Sequence, residues 1–115
     1  MSYLNSNKIL EVEKSYNQRI FFNKKELGII FNIYGKMVSK GEWRDYGISV
    51  NKNTSIFSIY RHTSEFPLYK IKKNSADKKN IIFSLVTMNG RILKRGNDLS
   101  LVLKPLNLQL IELVK

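Results

Sequence analysis

The sequence contains no cysteine, one histidine (His62), one tryptophan (Trp43) and two prolines in 115 residues. Without cysteine it can form neither a disulfide framework nor a thiolate metal site, which suits a reducing cytoplasm. A lone histidine does not supply the several His or Cys ligands that zinc sites use. The nine acids are scattered and lack the spacing of a calcium loop, so no metal or other cofactor is expected. The six glycines, at 28, 35, 41, 47, 90 and 96, match neither G-x-x-x-x-G-K-[ST] nor G-x-G-x-x-G, the loops that cradle nucleotide phosphates. No apolar run approaches the roughly 20 residues that span a bilayer, so membrane insertion is not expected. The opening stretch "MSYLNSNKILEVEKSYNQR" lacks the apolar core of a secretory signal, which again points to the cytoplasm.

Acids are the scarcest class relative to their counterparts. Nine Asp and Glu stand against 20 Lys and Arg, a formal net charge of +11. An excess of that size on a small domain attracts polyanions, whether nucleic acid, anionic lipid or an acidic protein surface. A/T-rich codons account for Lys over Arg but not for the shortage of Asp and Glu, whose codons tolerate the same bias. The bland alternative is charge that only solubilises. A lipid surface is the weakest of the targets, because no helix pattern combines a basic amphipathic face with aromatic anchors.

The length suits one domain around one core. Residues 1–18 are polar and weakly patterned and read as a loosely ordered segment, leaving a single domain over 19–115. "RIFF" (19–22) reads as a short first strand. Asn23 with Glu26 three residues on makes the N-x-x-E form of a capping box. Leu27, Ile30, Phe31, Tyr34, Met37 and Val38 then recur on one helical face up to Gly41, predicting a long helix over about 24–40.

Beyond residue 48 the period shortens to two. "YGISV" and "SIFSIYRH" flank "NKNT" as a hairpin, and "FPLYKIKK" follows, with Pro67 fitting only a strand start or an edge. "NSADKKN" (74–80) is a polar loop. "IIFSLVTM" and "RILKR" flank Asn89-Gly90, the pair favoured by a two-residue type I′ turn. Such a turn opposes Met88 to Arg91, Thr87 to Ile92, Val86 to Leu93 and Leu85 to Lys94. Both sides of that hairpin are then apolar, which predicts a strand covered on both faces, by the C-terminal segment or by another chain. That segment starts at an Asn97 or Asp98 cap with a short helix over 98–104. Pro105 interrupts it, and 106–114 reads equally as helix or strand. The architecture expected is α+β, an antiparallel sheet of about five strands with one long N-terminal helix and a shorter C-terminal helical element.

Two stretches concentrate chemistry. "RHTSE" (61–65) holds His62 and Glu65, which a metal-independent ribonuclease would use as base and partner with Arg61 on the phosphorane; a solvated turn explains the same residues. "GEWRDYGI" (41–48) gathers Trp43, Arg44, Asp45 and Tyr46 just past the helix stop. It reads either as a plug over the end of the core, with Asp45 pairing to Arg61 or a lysine, or as a grip for a partner. A third pattern is spread over the strands. Inward Phe57, Ile59, Tyr69 and Ile71 leave Ser58, Tyr60, Lys70 and Lys72 outward, and Arg91, Lys94 and Arg95 follow in the next basic strand. Together with Arg61 these form a candidate surface for RNA or DNA, where rings stack on bases and cations track phosphates. The alternatives are a protein-interaction module, an acidic protein partner, or a homodimer.

The blocks "YGKMVSKGEWRDYGI" (34–48), "FSIYRHTSEFPLYKI" (57–71) and "LVTMNGRILKRGNDLSLVL" (85–103) together resemble a family of small basic alphaproteobacterial proteins classed as a domain of unknown function. The likeness runs over roughly residues 20–104 and leaves out the first 18 residues and the tail past Pro105. It implies a bacterial, cytoplasmic protein, and it brings no reaction, cofactor or partner. It marks Trp43, Arg44, Asp45, Arg61, Ser64, Glu65, Arg95 and Gly96 as positions to mutate.

Overall fold

The structure is a computed structural model and describes residues 20–62, 66–75 and 80–114. The expectation of a loosely ordered segment over 1–18 lies outside these residues. Helix α1 (Lys24–Ser39) starts where the sequence placed it: the Asn23 side chain accepts from the Glu26 N–H at 2.8 Å, and Glu26 Oε1 accepts from the Asn23 N–H at 2.8 Å. Replacing Asn23 by alanine removes one half of this reciprocal cap, with an expected loss of about 1 kcal/mol by denaturant titration. The helix ends in a Schellman motif. Gly41 takes φ +75°, its N–H donates to Val38 O (2.9 Å), and the Glu42 N–H donates to Met37 O (3.0 Å).

"RIFF" forms no strand over its described residues 20–22. Ile20 and Phe22 are buried, but the carbonyls that a strand would offer to a neighbour are taken by side chains. Ser55 Oγ donates to Ile20 O at 2.7 Å and Lys73 Nζ to Phe21 O at 2.9 Å. Five strands follow: β1 (Asp45–Val50), β2 (Thr54–Tyr60), β3 (Tyr69–Ser75), β4 (Ile81–Thr87) and β5 (Ile92–Gly96). They pair antiparallel in sequence order, so β1 and β5 are the edges. Pro67 lies before β3, where it costs no ladder bond.

The β4–β5 turn departs from the expected type. Only Gly90 has positive φ, the Thr87 N–H donates to Arg91 O (2.9 Å) and the Gly90 N–H to Thr87 O (3.0 Å), which makes a three-residue loop, Met88–Gly90. The Thr87 hydroxyl holds the loop by bonding the Asn89 side chain and accepting from the Arg91 N–H. Leu85 still faces Lys94, but Val86 faces Ile92 and Leu93 is left over as a bulge. Ile92 therefore joins the Val86 side of the sheet rather than the Phe83 and Leu85 side.

Two helices end the chain, α2 (Leu99–Val102) and α3 (Lys104–Val114). The Asp98 carboxylate caps α2 by accepting from the Ser100 and Leu101 N–H groups. Pro105 interrupts one helix and opens the next, because in a first turn its missing N–H has no intrahelical partner to lose. The segment 106–114 is thereby helical, and its Leu106 and Leu110 are buried one turn apart.

Helices α1, α2 and α3 lie on one face of the sheet. Ile30, Ile33 and Met37 of α1 join Phe57, Ile59, Ile71 and Leu85 of the strands and Val102, Leu103 and Leu106 of the C-terminal helices in one core. The C-terminal helices therefore do not wrap to the second side of β4, and no described element packs on the opposite face. The fold is α+β as expected.

Candidate functional site

Cross-strand partners in an antiparallel pair share a face, so the register sorts every strand residue. One row on the face away from the helices runs Ser58, Lys70, Val86, Ile92; the next runs Ile56, Lys72, Ser84, Arg95. At about 4.8 Å per strand, Lys72 and Arg95 stand roughly 10 Å apart across β4. Tyr60 lies on the same face over the glycine of the edge strand, its Cε2 3.9 Å from where a β-carbon on Gly47 would sit. Among the described residues the face carries one acid, Asp45 at its corner, opposite Tyr60. The Asp45 Oδ1 accepts from the Tyr46 N–H at 2.8 Å.

Four of the seven candidate nucleic-acid residues, Tyr60, Lys70, Lys72 and Arg95, thus come together. Three do not. Lys94 opposes Leu85 and belongs to the helix side of the edge strand β5. Arg91 sits in the turn, its N–H held by Thr87. Arg61, just past β2, makes an ion pair with Glu42 (3.6 Å). That corrects the expected Asp45–Arg61 pair: Asp45 bonds its own strand, and Glu42 lies nearer. His62 is exposed beyond β2, while Ser64 and Glu65 lie outside the described residues, so the ribonuclease pairing has no described geometry.

The 41–48 stretch resolves into separate jobs. Trp43 is 4% exposed, with ring centroids 6.0 Å from Tyr34 and 6.2 Å from Tyr69, so it closes the end of the core. The Glu42 and Trp43 N–H groups both donate to Met37 O, which is what turns the indole back under the helix. Arg44 is exposed and its N–H donates to Tyr60 O at 2.8 Å. Tyr46 stacks on Phe57 (5.0 Å, 6°) and meets Phe31 and Tyr34 edge-on at 5.2 Å each. Burial, and then the nearby Asp45 and Tyr46, push the Tyr34 phenol above its ordinary value, so it remains a neutral hydroxyl in this ring cluster at neutral pH.

One polar centre pairs residues far apart in the sequence. Lys73 is 3% exposed on the helix side of β3, with Nζ 2.7 Å from Glu26 Oε1 and 2.9 Å from Phe21 O. The alternation Tyr69, Ile71, Lys73 already places it inward; its partner, 47 residues away in sequence, cannot be read locally.

Among the described residues no three His, Cys, Asp or Glu side chains cluster as metal ligands, and no helix is long and apolar enough to cross a membrane. No curated protein and no solved structure matches the chain. The model of the family described as "Protein of unknown function (DUF2794)" matches residues 20–103, from the buried Ile20 to the end of α2, and the chain belongs to that family.

Proposed function

We propose that the protein is a non-enzymatic module that binds single-stranded RNA or DNA across the outer face of its sheet, in the cytoplasm of a bacterial cell. The observation that carries this reading is the convergence of Tyr60, Lys70, Lys72 and Arg95 on one face whose single described acid lies at the corner. Cations spaced over neighbouring strands track a phosphate backbone, and a tyrosine ring at the rim offers a surface on which a base stacks. A flat sheet face has no described helix to enter a duplex groove, which favours unpaired strands.

An acidic protein surface is the second reading. It is favoured by Ile92, 54% exposed on this same face, an apolar group that phosphates do not use.

The test is fluorescence anisotropy of labelled single-stranded RNA, single-stranded DNA and duplex DNA with the full chain. Single strands should bind more tightly than duplex, and Tyr60→Ala should weaken binding by about 1–3 kcal/mol if one base stacks there. Absence of binding at low salt, or binding that Lys72→Glu leaves untouched, rejects the reading.

A further inference from the structure

The two edges of the sheet differ in kind. β5 carries Lys94 and Arg95 and a bulge at Leu93, devices that keep an edge from pairing. β1, "DYGISV", has no Lys, Arg or Pro and pairs with β2 in unbroken register. On its helix side Tyr46, Ile48 and Val50 are 41, 39 and 43% exposed, and Phe31 of α1, edge-on to Tyr46, extends the apolar strip. We propose that a second copy of this chain pairs antiparallel along β1 and covers this strip. The inference stands independently of the nucleic-acid reading.

The backbone restricts how such a pair forms. The Asn51 N–H donates to Thr54 O, so ladder groups of Asn51, Ser49 and Gly47 turn towards β2, while those of Ile48 and Val50 turn outward. Residues with outward groups must face each other, so the apolar row of one copy meets the apolar row of the other. Two registers are centred on the strand. Pairing centred on Ile48 sets Arg44, the residue just before β1, against Lys52 of the second copy, a like-charge contact that pairing centred on Gly47 avoids. Charge selects the Gly47 centre, with Tyr46 facing Ile48 of the second copy. The two-fold axis then runs perpendicular to the sheet, and both outer faces look the same way.

The absence of cysteine makes the register directly testable. In the Gly47-centred register the two glycines form a non-hydrogen-bonded pair, whose Cα spacing suits a disulfide. A β-carbon at Gly47 meets nothing closer than the Tyr60 ring, an ordinary van der Waals approach. Sedimentation of the full wild-type chain should show a dimer that dissociates on dilution. Ile48→Lys or Val50→Lys should give a monomer with the wild-type circular dichroism spectrum, while Leu108→Lys on α3 leaves the dimer intact. Gly47→Cys should oxidise to a covalent dimer. A wild type that is monomeric at every concentration, or a dimer that survives both β1 lysines, overturns the proposal. Cross-linking through Ile48→Cys but not Gly47→Cys overturns the register.

Discussion

Replacing Lys73 by methionine is expected to destabilise the fold by about 3–5 kcal/mol, the cost of leaving a buried charge without its partner. Glu26 Oε1 accepts from both Lys73 Nζ (2.7 Å) and the Asn23 N–H (2.8 Å), and Lys73 also satisfies Phe21 O. One carboxylate oxygen therefore ties the start of α1 to the inner face of β3, and the ammonium ties both to the lead-in at Phe21. The methionine keeps the volume of the aliphatic stem but leaves a carboxylate, 15% exposed, and a carbonyl with less satisfaction. Glu26→Gln should also be costly, because the more deeply buried ammonium keeps a hydrogen-bond acceptor in the amide oxygen but loses its counter-charge. The combined Lys73→Met/Glu26→Gln variant should be more stable than Lys73→Met alone, since no uncompensated charge remains. Urea titrations of the four proteins check this, and additive losses would show that the two side chains do not interact.

Trp43→Ala is the second large effect, about 3–5 kcal/mol by the same measurement. Against total stabilities of roughly 5–15 kcal/mol for domains of this class, that removes a large share. The indole lies between Tyr34 and Tyr69 beneath the last turn of α1, so its loss opens a cavity at the junction of helix and sheet. Arg44→Ala, one residue on but exposed, should stay within about 0.5 kcal/mol of wild type. If instead Arg44→Ala were the costly change and Trp43→Ala the mild one, the stretch would not act as a plug. The emission of Trp43 should also remain that of a buried indole when an oligonucleotide binds, because the proposed face lies on the other side of the sheet.

Features written in neighbouring residues were legible in the sequence. Asn23 and Glu26 are three apart and cap a helix whatever the rest of the chain does, and the two-residue alternation in "SIFSIY" and "LYKIKK" sorts Tyr60, Lys70 and Lys72 from Phe57, Ile59 and Ile71. Features that depend on a distant partner were not. "RIFF" has the composition of a strand, but its carbonyls are claimed by Ser55 and Lys73, 35 and 52 residues further on. Asn89-Gly90 carries the signal of a two-residue turn, yet Thr87 draws the Asn89 side chain and the Arg91 N–H into a longer loop and shifts Ile92 to the outer face. Pro105 is ambiguous in isolation, since a proline that ends one helix is equally suited to start another. The same dependence governs the candidate site: parity assigned the outward residues of β2 and β3, whereas Arg61 is drawn into an ion pair, Arg91 is held at the turn, and Lys94 pairs with Leu85 on the helix side.

The most direct test of the nucleic-acid reading is the slope of log affinity against log salt for a single-stranded oligonucleotide. It is measured for the wild type and for Lys70→Gln/Lys72→Gln/Arg95→Gln. Each phosphate that a removed cation no longer neutralises should reduce the slope by about 0.7, so the triple variant should be shallower by about 2. Arg91→Gln, in the turn, should leave it unchanged. A triple variant with the wild-type slope would contradict the account, because the charge that binds the strand would then lie elsewhere on the molecule.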